Sequence, residues 1–350
     1  MQIEVWHLTG TPYEMGRQHG ETLAEGARAM CDTRMALCLR AAPGASREAL
    51  LKLAAESLPV FADFAPDTYE EFRGIADGAG LSESELYIGN GYTDFVDLVR
   101  RRYPPAHECT AFAVTQTAAA DGLTYVGQTW DMHASAFPYV VALDRRPATG
   151  PASMTLTTTG CLSLIGLNEA GIAIGNNNLA PRDAGPGVMY LAMIHTALAQ
   201  ETFEDAVKAV THAPRMSGHH YYLGGPQGQF AAIETTRQRH ALLRPRPSGV
   251  YAHANHYNDE ELAAHVGQTP GEASLRRESR MWEMLEEGAG CLGQGEALRL
   301  LADHEGPICC HPNEPEGGRT CAGVVMCPQQ RAIWLSKGNP CEASPSRFEL

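Results

Sequence analysis

The order of periodic segments predicts an α+β protein in which two antiparallel sheets stack with helices outside, behind a mostly helical N-terminal segment. Three observations lead there. Residues 1–108 carry apolar side chains at helical spacing, and from Cys109 the pattern changes to short strand-like runs separated by turns. Helices then interrupt those runs twice. Strands, paired helices, strands, helices, strands is the succession expected of stacked sheets with helical outer layers. A chain of 350 residues is long enough to bury a sizeable core, and length alone allows one large domain or two.

In the N-terminal segment, Thr11-Pro12 reads as an N-cap followed by proline at the first helical position. Met15, Leu23, Ala27, Met30 and Leu37 then keep one face apolar. A second helix follows Ser46, and a third runs from about Pro66 to Ala76 before stopping at Gly78 and Gly80. Ser82 and Glu85 form a capping box for a fourth. Gly16 and Gly20 read as a place of close helix packing, because a phosphate-cradling loop needs a preceding strand and none is evident. The prolines Pro104 and Pro105, after three arginines, mark the best boundary, separating residues 1–108 from 109–350.

Past that boundary, strands are expected at Tyr139–Leu143, Met154–Thr159, Gly171–Gly175, Tyr221–Gly224, Phe230–Thr235 and His240–Leu243. One helix is marked by Tyr190, Ile194 and Leu198, and a second, capped by Thr202, by Phe203, Ala206, Val207 and Val210. Later helices cover roughly Glu272–Glu287 and Gln294–His304, and a hairpin turning at Pro328-Gln329-Gln330 closes the chain.

Composition narrows the function. A formal charge of −14 argues against a nucleic-acid partner, which needs a basic face. No run approaches the roughly 20 apolar residues that span a bilayer, and the first residues have neither the basic nor the apolar region of a signal peptide. Ten cysteines are too dilute for a disulfide scaffold. A cytoplasmic enzyme with reduced thiols is expected, without nucleic-acid or membrane partners.

The chemistry concentrates in residues 107–131, HECTAFAVTQTAAADGLTYVGQTWD. Two alternating runs flank a turn signal at Asp121-Gly122. A hairpin centred on Ala120 sets Cys109, at the start of one strand, opposite Asp131, at the end of the next. A thiol and a carboxylate at the open end suit a nucleophile and its orienting group. A buried cysteine acting as a small hydrophobe and a strand-end carboxylate are the plainer alternatives.

A cysteine opening a strand, then a hairpin, then G-x-x-W-D resembles the acyl-coenzyme A:6-aminopenicillanic acid acyltransferase family. Further blocks resemble it in order: GTPYEMGRQHG, EEFRGIADGAGLSESEL, GLNEAGIAIGNNNL, HANHY and the tail from Ile308. The resemblance implies a self-processing N-terminal-nucleophile hydrolase with a four-layer αββα sandwich. Cys109 would cut the Glu108–Cys109 bond, leaving a helical fragment 1–108 bound to a catalytic domain 109–350. Its freed α-amine, with a pKa near 8, would then serve as the thiol's own base. Asp131 would balance the ammonium form. Asn255 and Asn178 would hold the oxyanion. Arg319 would stabilise Asp131 or bind a substrate carboxylate, and His219 and Tyr221 would line the substrate pocket. Glu108 stands where many relatives have glycine, and Gln128 where related amide hydrolases have arginine.

The implied substrate is a small-molecule amide or acyl-thioester, and no cofactor is called for. A papain-like peptidase is the chemical alternative, but it would need a helix starting at the cysteine. The non-enzyme alternative is a metal-stabilised binding module. However, His253 and His256 lack a third ligand nearby, and Cys309, Cys310, His311, Cys321 and Cys327 have no C-x₂-C pair, so core packing is expected for these cysteines.

Overall fold

Thr11, Ser46, Ser82, Thr202 and Asp259 each cap the start of a helix. The computed structural model describes residues 2–99, 109–267, 269–312 and 317–350. It opens with strand β1 (Val5–Gly10) and helix α1 (Pro12–Thr22), which is capped by a reciprocal box between Thr11 and Glu14. Helices α2 (Ala24–Ala41), α3 (Arg47–Phe64) and α4 (Pro66–Ala79) follow; Ser46 caps α3, and Gly80 ends α4 at φ 67°. Ser82 and Glu85 box the start of α5 (Glu83–Asn90), and α6 (Tyr92–Val99) completes the segment. The expected boundary at Arg100–Pro105 and the residue Glu108 lie outside the described residues.

The rest of the chain is built of strands interrupted by helices. Strands β2 (Thr110–Val114), β3 (Tyr125–His133), β4 (Val140–Pro147), β5 (Ser153–Thr158), β6 (Ile165–Asn168) and β7 (Ala173–Asn178) precede helices α7 (Tyr190–Leu198) and α8 (Phe203–Thr211). Next come β8 (His219–Gly224), β9 (Phe230–Thr235), β10 (His240–Leu243) and β11 (Val250–His253), then α9 (Glu260–Val266), α10 (Glu272–Gly288) and α11 (Gln294–Leu300). The closing hairpin β12 (Gly318–Cys327) and β13 (Ala332–Lys337) turns at Pro328–Gln330, and β14 (Ser346–Glu349) follows. No described helix is long and apolar enough to cross a membrane.

Two sheets form. One has the order β1-β4-β5-β6-β7-β8-β9-β10 and the other β11-β2-β3-β12-β13-β14. They face each other through β2, β3, β12 and β13 on one side and β6, β7 and β8 on the other, with α7 and α8 outside the first sheet and α10 and α11 outside the second. This is the four-layer αββα sandwich. Several details differ from the sequence reading: the apolar-faced helix expected from Pro12 past Leu37 is broken into α1 and α2, and α9, β11 and β14 were not expected. The N-terminal segment contributes a strand, β1, whose short run VWHLTG does not alternate cleanly, and that strand pairs parallel with β4 while the other pairs are antiparallel. The strand before α1 does not make Gly16 and Gly20 a phosphate loop, because both sit inside the helix.

Those glycines bring α1 and α4 into backbone contact. A Cβ on Gly16 would lie 2.0 Å from the Glu71 carbonyl oxygen, and one on Gly74 would lie 2.3 Å from that of Tyr13. The N-terminal helices also share one apolar core with the sheets, in which Phe61, Phe72 and Tyr87 join Ile165, Tyr222 and Leu335. A buried ion pair reinforces the join: Arg145 Nε of β4 donates to Glu71 Oε1 of α4 at 2.8 Å, with His195 Nε2 of α7 3.2 Å from Oε2.

Candidate active site

Cys109 stands at the entrance to β2, and a strand follows it, not the helix a papain-like site requires. Its thiol is buried and lies 3.8 Å from the backbone carbonyl oxygen of Asp131. The register that brings them together differs by one residue from the expected one. Thr110 pairs with Thr129 and Val114 with Tyr125, so the hairpin is not centred on Ala120. The connection, from Thr115 to Thr124, is held by contacts distant in sequence. Thr115 N and Oγ1 donate to the Gly249 carbonyl, and Ala120 N donates to that of Leu292. Tertiary anchoring, not the Asp-Gly turn, therefore sets the register. A one-residue slip removes the direct Cys109–Asp131 pairing, yet the buried Asp131 still reaches the thiol's surroundings through its backbone. Opposite it on β12 stands Thr320, beside a register shift at Thr320/Ala322.

Asn255 follows β11 and is fixed at both ends of its amide. Nδ2 donates to the backbone carbonyl of Asn178 at 3.0 Å, and Oδ1 accepts from Arg277 Nη2 at 3.2 Å. One amide hydrogen is thereby committed and the second is available to another acceptor. Asn178 thus meets Asn255 through its main chain, while its own Oδ1 is buried.

Arg277, on α10, links the parts. Its Nη1 donates to the Cys109 carbonyl at 2.7 Å and to Thr110 Oγ1 at 2.8 Å, so one planar guanidinium spans the Cys109 backbone and the Asn255 amide. Ser274, one turn earlier, accepts from Asn255 N at 2.8 Å. Sequence reasoning did not single out either residue, although a signal existed. The inward face of α10 carries Ser274, Arg277 and Glu278 in register with Met281 and Leu285, and polar residues on a buried stripe need buried partners. Glu278 continues the network to His256 Nε2 at 2.9 Å and Asn258 Nδ2 at 2.6 Å.

A second buried network backs the first. His220 stacks on His253 with centroids 3.7 Å apart, and His253 Nε2 lies 2.7 Å from Glu234 Oε1. Burial pushes His220 far below the usual imidazole range, with His253 adding to it. Burial also opposes charge on His253, but its bond to Glu234 prevails and raises it. The alternation of β8 divides the residues expected to line a pocket from their neighbours. His219 stacks on Tyr190 of α7 at 4.5 Å and lies 3.6 Å from Asp94 of α6, and Tyr221 shares that face. His220 instead bonds Tyr251 of the opposite sheet at 3.0 Å.

At the register shift of β12, buried Cys321 feels the charges of Asp131, Arg319 and Cys109. Burial and then Asp131 push its thiol up, and Arg319 opposes them. Arg319 Nη2 donates to Asn339 Oδ1 at 3.0 Å and its guanidinium lies 4.0 Å over the Phe137 ring. Cys321 and Cys327 pack in the core as expected, whereas Cys309 and His311 gather elsewhere with His304 and Cys341.

The aspartate, asparagines and arginine of this set fall within a sequence match. The profile of the family described as acyl-coenzyme A:6-aminopenicillanic acid acyl-transferase matches residues 117–342. The chain belongs to that family. The match takes in Asp131, Asn178, Asn255 and Arg319 and begins after Cys109. Among relatives, the acyl-coenzyme A:6-aminopenicillanic-acid-acyltransferase 40 kDa form of Emericella nidulans is 26% identical over 306 residues, 85% of this chain and 82% of that protein. An uncharacterized protein of Archaeoglobus fulgidus is 27% identical over 267 residues, 67% of this chain but only 44% of its own length.

Similar solved structures include a mutant conjugated bile acid hydrolase from Clostridium perfringens and the penicillin V acylase from Agrobacterium tumefaciens. The first has a TM-score of 0.46 and 11% identity, covering 69% of this chain and 97% of that one. The second has a TM-score of 0.45 and 17% identity, covering 69% and 85%. Within this member of the acyltransferase family, Gln128 bridges the sheets. Its buried Oε1 accepts from Asn176 N of β7 at 2.9 Å, a neutral link at that position of β3.

Proposed function

We propose that the protein is a self-processing cysteine acyltransferase or amide hydrolase acting through an acyl-enzyme at Cys109. The observation that carries the reading is the buried Cys109 at the head of β2, tied through Arg277 to the Asn255 amide, in a member of an acyl-transferase family. Cleavage of the Glu108–Cys109 bond gives Cys109 an α-amine. The thiol proton passes to that amine as Sγ bonds to the carbonyl carbon of an amide or thioester. Asn255 donates its second amide hydrogen to the developing oxyanion, assisted by Asn178. Collapse breaks the bond to the leaving amine or thiol, which takes the proton from the Cys109 ammonium. Water or an amine then attacks the thioester, gives up its proton to the amine, and releases the acyl group while restoring the thiol. Asp131 balances the ammonium and Arg319 is assigned to substrate contact, whereas His219 and Tyr221 are fully buried on the β8 face that meets α6 and α7.

Mass spectrometry of the purified chain tests this. The expected outcome is two associated pieces, the larger holding 242 residues (350 − 108) and beginning Cys-Thr-Ala-Phe. Cys109→Ala should remain one chain of 37.8 kDa. An uncut, fully active wild-type chain would defeat the free-amine mechanism.

A further inference from the structure

Four side chains outside the proposed catalytic set converge beside the N-terminal end of β12. His304 follows α11, Cys309 and His311 stand in the segment leading into β12, and Cys341 follows β13. Their donor atoms all lie within 4.8 Å of one another. Cys309 Sγ is 3.5 Å from Cys341 Sγ and 4.0 Å from His311 Nε2. His311 Nε2 is 3.2 Å from Cys341 Sγ, and the His304 and His311 rings meet edge-on at 5.3 Å. Tetrahedral zinc, with Zn–S near 2.3 Å and Zn–N near 2.0 Å, sets its donors roughly 3.3–3.8 Å apart. The three observed distances bracket that span.

We propose that His304, Cys309, His311 and Cys341 bind one zinc ion as a structural site. Two thiolates and two imidazoles whose donor atoms gather within 4.8 Å suit zinc among the common divalent ions. Four protein ligands leave no open position for substrate or water, which separates this site from a catalytic one. A disulfide would account for two of the four groups only, and sulfurs 3.5 Å apart exceed the bond length of about 2.05 Å. Outer partners are in place as well. Asn339 Nδ2 points at Cys309 Sγ at 3.4 Å, and Glu342 lies 3.9 Å from the second ring nitrogen of His311.

The ion would join the segment before β12 to the segment after β13, elements that local sequence does not hold together. Asn339 also donates to the Cys310 carbonyl at 2.8 Å and accepts from Arg319, so the metal would brace the arginine end of β12. The site stands on its own geometry and does not depend on the acyl-transfer reading.

Metal analysis of the full chain, purified without chelator from zinc-supplemented culture, should give one zinc per chain. Cobalt added to the chelator-stripped protein should produce the strong visible bands of a tetrahedral thiolate site. Cys341→Ser and His311→Ala should each lose the metal, while Cys310→Ser and the remote Cys291→Ser should keep it. Chelation should lower the thermal midpoint of the wild type and leave that of Cys341→Ser unchanged. If the ligand variants fail to fold, the cobalt spectrum of the wild type decides. Substoichiometric zinc with no tetrahedral cobalt spectrum would overturn the proposal, and so would a Cys309–Cys341 disulfide in non-reduced peptide maps.

Discussion

An amide side chain serves as an oxyanion donor only if something holds it still. Asn255 is held by Arg277 on its oxygen and by the Asn178 carbonyl on its nitrogen. Asn255→Ala should therefore fold and process but lose about 100- to 1,000-fold in turnover, the usual cost of one oxyanion donor. Arg277→Lys makes the complementary test. Lysine keeps the charge yet cannot span the Cys109 carbonyl, Thr110 Oγ1 and the Asn255 oxygen with one rigid fork. Turnover should fall about 10-fold or more with KM nearly unchanged, as for a positioning residue acting through Asn255. Wild-type turnover in either variant, measured on any accepted amide or thioester, would remove that residue from the site.

At the scale of elements, α1 and α4 are joined backbone to backbone. Alanine is the better helix former by about 1 kcal/mol, so Gly16→Ala would stabilise an isolated α1. Here the new methyl would stand 2.0 Å from the Glu71 carbonyl, and backbone cannot give way cheaply. Overpacking of this kind costs about 1–3 kcal/mol, so urea denaturation should show a net loss of stability. Gly295→Ala in α11, where the nearest atom is a flexible Arg299 nitrogen at 3.9 Å, should be neutral or stabilising. Equal behaviour of the two variants would show that helix propensity, not close approach, governs the α1–α4 contact. The same separation of local from distant causes runs through the hairpin. The alternation of β2 and β3 is visible in TAFAV and TYVGQTW, but the register follows Gly249 and Leu292.

Across the whole molecule, the N-terminal helices are joined to the first sheet by buried polar groups that respond to pH. Asp94 of α6 accepts from Tyr190 N at 3.0 Å and faces His219 of β8. Burial raises its carboxyl to about 8, with the Tyr190 bond opposing. Burial also pushes His219 down to about 3, so the pair is neutral near pH 7. Because the folded pKa of Asp94 lies above the unfolded carboxylate value, the native state binds this proton more tightly. Its contribution to stability is full in acid and is lost as pH rises through about 8. Asp94→Asn cannot ionise, so its midpoint relative to wild type should rise between pH 7 and pH 9. The gain should be roughly 1–3 kcal/mol, the cost of an uncompensated buried polar group. A difference that does not change with pH would show that the carboxyl is ionised throughout.

What the sequence determined by itself is what interactions within a few residues decide. Thr11, Ser46, Ser82 and Thr202 cap the helices they were expected to cap, because a side-chain oxygen meets a backbone N–H only three positions away. Phe230–Thr235 and His240–Leu243 follow from alternation, and the order of elements was enough to stack two sheets between helices. Tertiary structure alone decided the partners of residues far apart in the chain. Arg277 reaches Cys109 across 168 positions, and no local pattern says which buried carbonyl a buried guanidinium will meet. β1 is a strand because β4 offers it an edge, and the Cys109 hairpin takes the register that its distant anchors allow. Backbone pairing and burial of charge are satisfied by whatever the fold brings near, so these features became visible only once the layers were in place.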